Sequence, residues 1–411
     1  MVEDARALGR ERLSIGLVGT AHGVSHFYQL MLYPLFPMLK TQWGISFVQL
    51  GAVLVVFNVA GVIAQTPTGI LVDKIGSRKL LIAALLIGSA AYATAGALSS
   101  YWGLILAAAI AGLANAVYHP ADYDLLHHTV GNSRVGRAFS IHSFLGYIGN
   151  GVAPLLMITL YNTVGLKAAL ILGGSLGLLP ALALLMARSL DTRAVAVEVK
   201  PGVPQEKIGI RQLLTPAILS LTLFFTLISL SGIQSFMIPA LHALDGISLT
   251  QAGVALTCFL VATAVGVLAG GYLADKTSRH EQVAFGGFLV MAVILLIIGS
   301  FPFNGYEVAA LLSLAGFCGG MIYPSRDMLV RKNAPPGAMG RTFGVVTTGF
   351  NIGGTVGPLL YGTLMDHGQV RAIFYTAVTF LIITAIAPLV TERNRRTRSA
   401  HATVIASALA R

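Results

Sequence analysis

Apolar runs separated by short polar punctuation recur along the whole chain, at 13–39, 47–72, 79–98, 101–126, 137–161 and 167–187, and again at 216–241, 250–274, 282–301, 306–329, 341–364 and 371–391. About 20 apolar residues in a helix cross the hydrocarbon core of a bilayer, so the pattern predicts twelve transmembrane helices. Residues 188–215 hold Pro201, Pro204 and several charges, and lack apolar periodicity. They are expected to link an N-terminal six-helix unit, 1–187, to a C-terminal one, 216–391, with a basic tail at 392–411. The halves also repeat. Gly112 to Pro120 aligns with Gly316 to Pro324 at an offset of 204 residues, and the same register carries Gly136-Arg137 onto Gly340-Arg341, Phe139 onto Phe343 and Pro154 onto Pro358. Six spans between equivalent positions make the halves parallel repeats about an axis along the membrane normal. The expected fold is an all-α membrane protein of twelve transmembrane helices in two pseudo-symmetric six-helix bundles.

Composition narrows the function classes. Of 411 residues, 55% are hydrophobic and 10% charged, against about 25% charged in a soluble domain. An ordinary soluble enzyme is excluded. The net charge of +11 would suit nucleic acid, but its placement argues otherwise: Lys40, Lys167 and Arg371 fall in loops on one side, Arg326 falls within a span, and the other 23 of 27 basic residues fall on the side of the termini. That asymmetry marks the cytoplasmic side of a membrane protein, so both termini are expected there and no nucleic-acid partner is implied. The charged stretch 1–12 has no apolar core of a signal peptide. Cys258 and Cys318 lie in apolar runs and support neither a disulfide framework nor a thiolate metal cluster. No phosphate loop, metalloprotease helix or nucleophile elbow appears, so no cofactor and no enzymatic activity are expected.

Gly69-x-x-x-Asp73-Lys74-x-Gly76-Ser77-Arg78-Lys79, between the second and third spans, and the weaker copy Gly271-x-x-x-Asp275-Lys276, 202 residues on, resemble the loop motif of the major facilitator superfamily of secondary transporters. With twelve spans, a central linker and a repeat, the resemblance covers nearly the whole chain. Ser25-His26-Phe27-Tyr28-Gln29, Tyr118-His119-Pro120 and the stretch from Gly146 to Pro154 are similar to its fosmidomycin-resistance-like subgroup of exporters. The resemblance implies a bacterial inner-membrane carrier, expected to be a monomer, whose Gly69, Asp73, Arg78 and Asp275 help close the cytoplasmic gate. Two departures stand out. Pro154 lacks the flanking glycines of the superfamily's antiporter motif, and the arginine that many such antiporters carry four residues before the span-four glycine is Ala108.

Candidate chemistry lies where polar groups interrupt the spans. His22, His26, Gln29 and Tyr33 are spaced to share one helical face, and polar groups in a span must face the bundle interior or a water-filled cavity. By the resemblance, the first helix lines a central cavity, which makes the stripe substrate-facing; interhelical hydrogen bonding is the competing use. His22 and His26 at i, i+4 also match a two-histidine metal site, with Met31, Met38, Met237 and His242 as further soft ligands. Asn115, Tyr118, His119 and Asp122 cluster on one face of span four, with Asp124 beyond. A carboxylate inside a span needs a partner, and the offset of 204 maps Asp122 onto Arg326, beside Tyr323 and Asp327 in span ten. Arg326 could bind an anion bidentately, Asp122 with His119 could carry a proton, or the charges could form a structural cluster. His142, Tyr147 and Asn150 in span five and Asn351 in span eleven are further polar positions. The reading is a secondary transporter that exports a small organic anion or drug in exchange for protons. Import of a transition metal and a non-transporting membrane sensor are its rivals.

Overall fold

The computed structural model describes residues 2–131, 134–191, 210–333 and 339–386, and every regular element among them is helical. In chain order these are α1 (Val2–Leu30), a 3-10 turn (Tyr33–Leu35) leading into α2 (Phe36–Trp43), α3 (Phe47–Ile75), α4 (Ser77–Leu98), α5 (Tyr101–Thr129), α6 (Val135–Ser175), α7 (Leu178–Met186), a second 3-10 turn (Arg188–Leu190), α8 (Ile210–Asp245), α9 (Leu249–Lys276), α10 (His280–Ser300), α11 (Gly305–Asn333), α12 (Met339–Asp366) and α13 (Val370–Ile386). Eight stretches among the described residues are long and apolar enough to cross a membrane. One of them, Val135–Met186, holds two crossings, because Gly165 at φ 78° and ψ 171° breaks the helix within it. The broken first crossing of α1 and α2, together with α12 and the shorter α13, brings the total to twelve. Most of the expected linker, 192–209, and the expected tail, 392–411, lie outside the described residues.

Local chemistry sets the helix ends. Ser46 and Gln49 form a capping box at the start of α3: each side chain bonds the other's backbone N–H, at 3.0 and 2.8 Å. Ser248 accepts from the Gln251 N–H, 3.2 Å away, at the start of α9, which spares two helix starts their unpaired donors. Gly76, at φ 93°, lets α3 pass straight into α4, and this backbone angle explains the glycine in the loop motif. The first crossing is broken between α1 and α2 because Pro34 lacks the backbone donor that a continuous helix would need there.

Close helix crossings repeat with the sequence. A Cβ on Gly112 of α5 would fall onto the Phe57 carbonyl oxygen of α3, and a Cβ on Gly316 of α11 would fall onto the Phe259 carbonyl oxygen of α9. Each pair is one contact copied into the other half, and small residues permit it where no hydrophobic effect drives helices together. Prolines free backbone carbonyls, which then find side-chain donors. Pro120 has no N–H for the Ala116 carbonyl four residues back, and Thr68 of α3 donates to it at 3.1 Å. Pro358 likewise frees the Gly354 carbonyl, which takes Asn58 Nδ2 of the other half at 2.8 Å.

The halves meet most tightly at the end remote from the termini. Gly51 of α3 packs on the Pro358 carbonyl, and Gly362 of α12 on the Phe47 carbonyl. There the Asp366 carboxylate accepts from Lys40 Nζ at 3.0 Å, from the Phe47 N–H at 2.9 Å and from the Val48 N–H at 2.8 Å. Burial works against its ionisation, but the two α3 N–H groups and the Lys40 ammonium outweigh that and hold its pKa below 3.8. Because this pKa is depressed, the seal is at full strength above the ordinary carboxylate value and weakens as pH falls through the lowered one. Asp366→Ala is expected to raise the population with parted ends about fivefold, the worth of roughly one net hydrogen bond. A fluorescence pair on Thr41 and Gln369 measures that shift, and an unchanged distance distribution would count against the seal.

Candidate functional site

The site is made possible by glycines where α1 crosses α6. A Cβ on Gly149 would fall onto the Gly23 carbonyl oxygen, and one on Gly146 would lie 2.7 Å from His22 Cδ2 and 3.1 Å from His26 Cδ2. The missing side chains of α6 are therefore the space that the α1 imidazoles occupy. Into this crossing α5 brings His119 and Asp122, one turn apart, and α6 brings His142.

Asp122 is 0% exposed. Its Oδ2 is hydrogen-bonded to His142 Nε2 at 2.9 Å, and His22 Nδ1 stands 3.0 Å from the same oxygen without hydrogen-bond geometry. Its Oδ1 is buried and has no hydrogen-bond partner. His22 stacks on His142 with ring centres 3.7 Å apart, and meets His26 edge-on at 4.5 Å and His119 at 5.0 Å. His119 is the exposed member of the cluster, although histidines and Tyr123 surround it. Ring nitrogens of His22, His26 and His119 come within 4.8 Å of one another. Gln29 donates to Asn115 Oδ1 at 3.2 Å, which ties the α1 stripe to the α5 cluster.

On the facing half, Tyr323 and Arg326 lie on α11. The Arg326 guanidinium carbon is 4.9 Å from the centre of the Tyr323 ring, and Tyr323 stacks on Tyr147 of α6. Asn351 is half-buried on α12. The Asp327 side chain lies outside the described residues.

Several expectations change. Asp122 does not pair with Arg326; its charge is met within its own half by His142 and His22, because imidazoles one helix away are closer than any group across a cavity. Tyr33 leaves the stripe, since α1 stops at Leu30 and the 3-10 turn that begins at Tyr33 carries the tyrosine beside Ser235 of α8. Tyr118 is 2% exposed and packs inside the N-terminal half, its hydroxyl unpartnered. The soft-ligand set does not assemble: Met31, Met38 and Met237 are core residues, and His242 Nδ1 bonds the Ile247 carbonyl oxygen. Asp124 contacts Ser77 and His128.

Among the gating positions, Asp73 and Asp275 are exposed and Gly69 has open space where a Cβ would go, but Arg78 is buried in its own half. Its guanidinium donates to the Leu184 and Leu185 carbonyl oxygens, each at 2.7 Å, and to Asp191 Oδ1 at 2.8 Å, so it caps the C-terminus of α7. Arg78→Gln is expected to cost about 2–3 kcal/mol by stranding those acceptors, read as a lower thermal midpoint. An unchanged midpoint would return Arg78 to a purely gating role. His142 was visible in sequence only as an isolated polar residue; its partners are on other helices, and the sole local signal is Gly146 one turn on.

Comparison with known proteins supplies independent findings. The family model described as "Major Facilitator Superfamily" matches residues 18–245 and again 219–408. The chain is 25% identical over 406 residues to the fosmidomycin resistance protein of Escherichia coli (strain K12), covering 95% of this chain and 96% of that one. It is 26% identical over 379 residues to the multidrug resistance protein MdtH of Aeromonas hydrophila, covering 90% and 91%. Among solved structures, a bacterial homolog to the human lysosomal transporter Spinster, in an inward-facing and unoccupied conformation, superposes with a TM-score of 0.77 at 16% identity, covering 93% of this chain and 97% of that one. The nucleoside transporter NupG superposes at 0.71 with 14% identity, covering 93% and 98%.

Proposed function

Because the chain belongs to the Major Facilitator Superfamily, and is a multi-pass membrane transporter of that type, we propose that it exports a small organic anion across the bacterial inner membrane in exchange for protons. The observation that carries the proton coupling is Asp122, with one oxygen held by His142 and the other buried and bare. A proton can settle on Oδ1 without breaking the His142 bond. His119, the exposed member of the cluster and 5.0 Å from His22, is the relay between that carboxylate and the cavity. Ionised carboxylates inside a membrane are costly and mark ion pathways, and a protein that gains and loses one proton there has two states whose balance a gradient can bias.

Arg326 supplies the anion contact. Its place in the repeat puts it on the face of α11 that matches the Asp122 face of α5, and a guanidinium suits a carboxylate or phosphate bidentately. The basic residues on the side of the termini put that side in the cytoplasm. The sealed ends around Asp366 then face away from the cytoplasm, and cargo is loaded from within. Relatives named for resistance to fosmidomycin and to multiple drugs support outward transport. Purified protein in liposomes with an imposed pH gradient tests the reading, with labelled fosmidomycin as the probe. Accumulation driven by the gradient is the expected result. Counterflow indifferent to the gradient would remove proton coupling, and binding without counterflow would make the protein a sensor.

A further inference from the structure

Near the histidine cluster, two aromatic faces and one cation meet on different halves of the molecule. Tyr147 of α6 and Tyr323 of α11 are nearly parallel, 14° apart with ring centres at 5.9 Å. Arg326 lies over the Tyr323 ring at 4.9 Å, and on the other edge Tyr147 lies 6.3 Å from His26. In the repeat, Tyr323 and Arg326 stand where the N-terminal half has His119 and Asp122. One half thus offers an acid among imidazoles, and the other offers a π face with a guanidinium.

We propose that Tyr147, Tyr323 and Arg326 form the binding subsite for a flat aromatic carboxylate, which rests on the anionic-cargo reading above. An aliphatic anion would need the guanidinium alone. The tyrosine pair spans the seam along which the halves must move, so parting the rings leaves two apolar faces uncovered. A flat ring about 3.5 Å thick fills that gap and stacks on both faces. The guanidinium fits the same geometry. A cation over a π face keeps its attraction to the ring while its outer N–H groups hold a carboxylate edge-on. An aromatic carboxylate is planar, so a ring that fills the opened layer between Tyr323 and Tyr147 keeps its carboxylate in the ring plane, at the tyrosine edge within reach of the Arg326 side chain. A puckered ring of the same charge and similar size has no such fit.

Dissociation constants of the purified full-length protein for benzoate, cyclohexanecarboxylate and benzyl alcohol test this. Benzoate is expected to bind about tenfold more tightly than either of the others, from the stacking of its ring and the charge-assisted hydrogen bonds of its carboxylate. Tyr323→Leu should abolish the preference of benzoate over cyclohexanecarboxylate, and Tyr323→Phe, which keeps the ring, should retain it. Arg326→Gln should weaken benzoate to the level of benzyl alcohol. If benzoate and cyclohexanecarboxylate bind the wild type equally and both depend on Arg326, the aromatic subsite falls while the anionic-cargo reading stands. If neither carboxylate binds, the aromatic subsite falls, and the anionic-cargo reading is decided by the fosmidomycin assay alone. A benzoate preference that persists in Tyr323→Leu also overturns the subsite.

Discussion

Asp122→Asn is expected to reduce gradient-driven transport to the level of empty liposomes while substrate counterflow without a gradient continues. The amide has the shape of the carboxylate, and its oxygen can still accept from His142, so the 2.9 Å contact survives. What disappears is the ability to take up and release a proton at the oxygen that has no partner. The two assays separate a coupling role from a structural one. If Asp122 only holds the cluster together, the amide should impair driven transport and counterflow in parallel and lower the thermal midpoint. Driven transport at the wild-type rate would remove Asp122 from coupling altogether. Asp122→Glu is a useful companion, since it keeps the proton but must fit one more methylene into a fully buried position, which costs about 1–3 kcal/mol when neighbours cannot yield.

Gly149→Ala is expected to damage both stability and transport, although it adds a single methyl group. The new Cβ meets the Gly23 carbonyl oxygen, and backbone cannot turn aside as a side chain can. α1 and α6 must separate, which places the cost toward the upper part of the 1–3 kcal/mol typical of overpacking. The separation also pulls His22 off His142, whose rings are 3.7 Å apart, and so disassembles the surroundings of Asp122. Gly16→Ala is the matched control, because nothing lies within 4 Å of a Cβ there. The expected outcome is a clear loss of thermal midpoint and of coupled transport in Gly149→Ala and neither in Gly16→Ala. Equal midpoints in the two variants would mean that the crossing does not scaffold the site.

The fold was legible because twelve apolar runs and a repeat are long-range signals that survive local noise. In the site, His22 with His26 and His119 with Asp122 were readable, since each pair lies on one helix and the 3.6-residue period puts it on one face. His142 was not, because its place is decided by how α6 crosses α1 and α5. The glycines that set the crossing are plain in the sequence, but their partners are not. Tyr33 failed for the opposite reason: the helical period was extended through a turn that Pro34 imposes. Asp122 and Arg326 show the limit of repeat logic. Equivalence under the internal symmetry says which positions face the same space, and the electrostatic demand of a buried charge is met by whatever polar group is nearest.

The bond from Asn58 to the Gly354 carbonyl, which Pro358 leaves without a helical donor, gives the outer seam a dependence on solvent. When the halves part, that carbonyl loses its replacement partner inside a low-dielectric slab, where an unmet acceptor is expensive. A water molecule must arrive to take the place of the Asn58 amide. Wetting of the seam is therefore a required step of opening rather than a result of it, and the rate of the conformational cycle is tied to how readily water reaches the bend in α12.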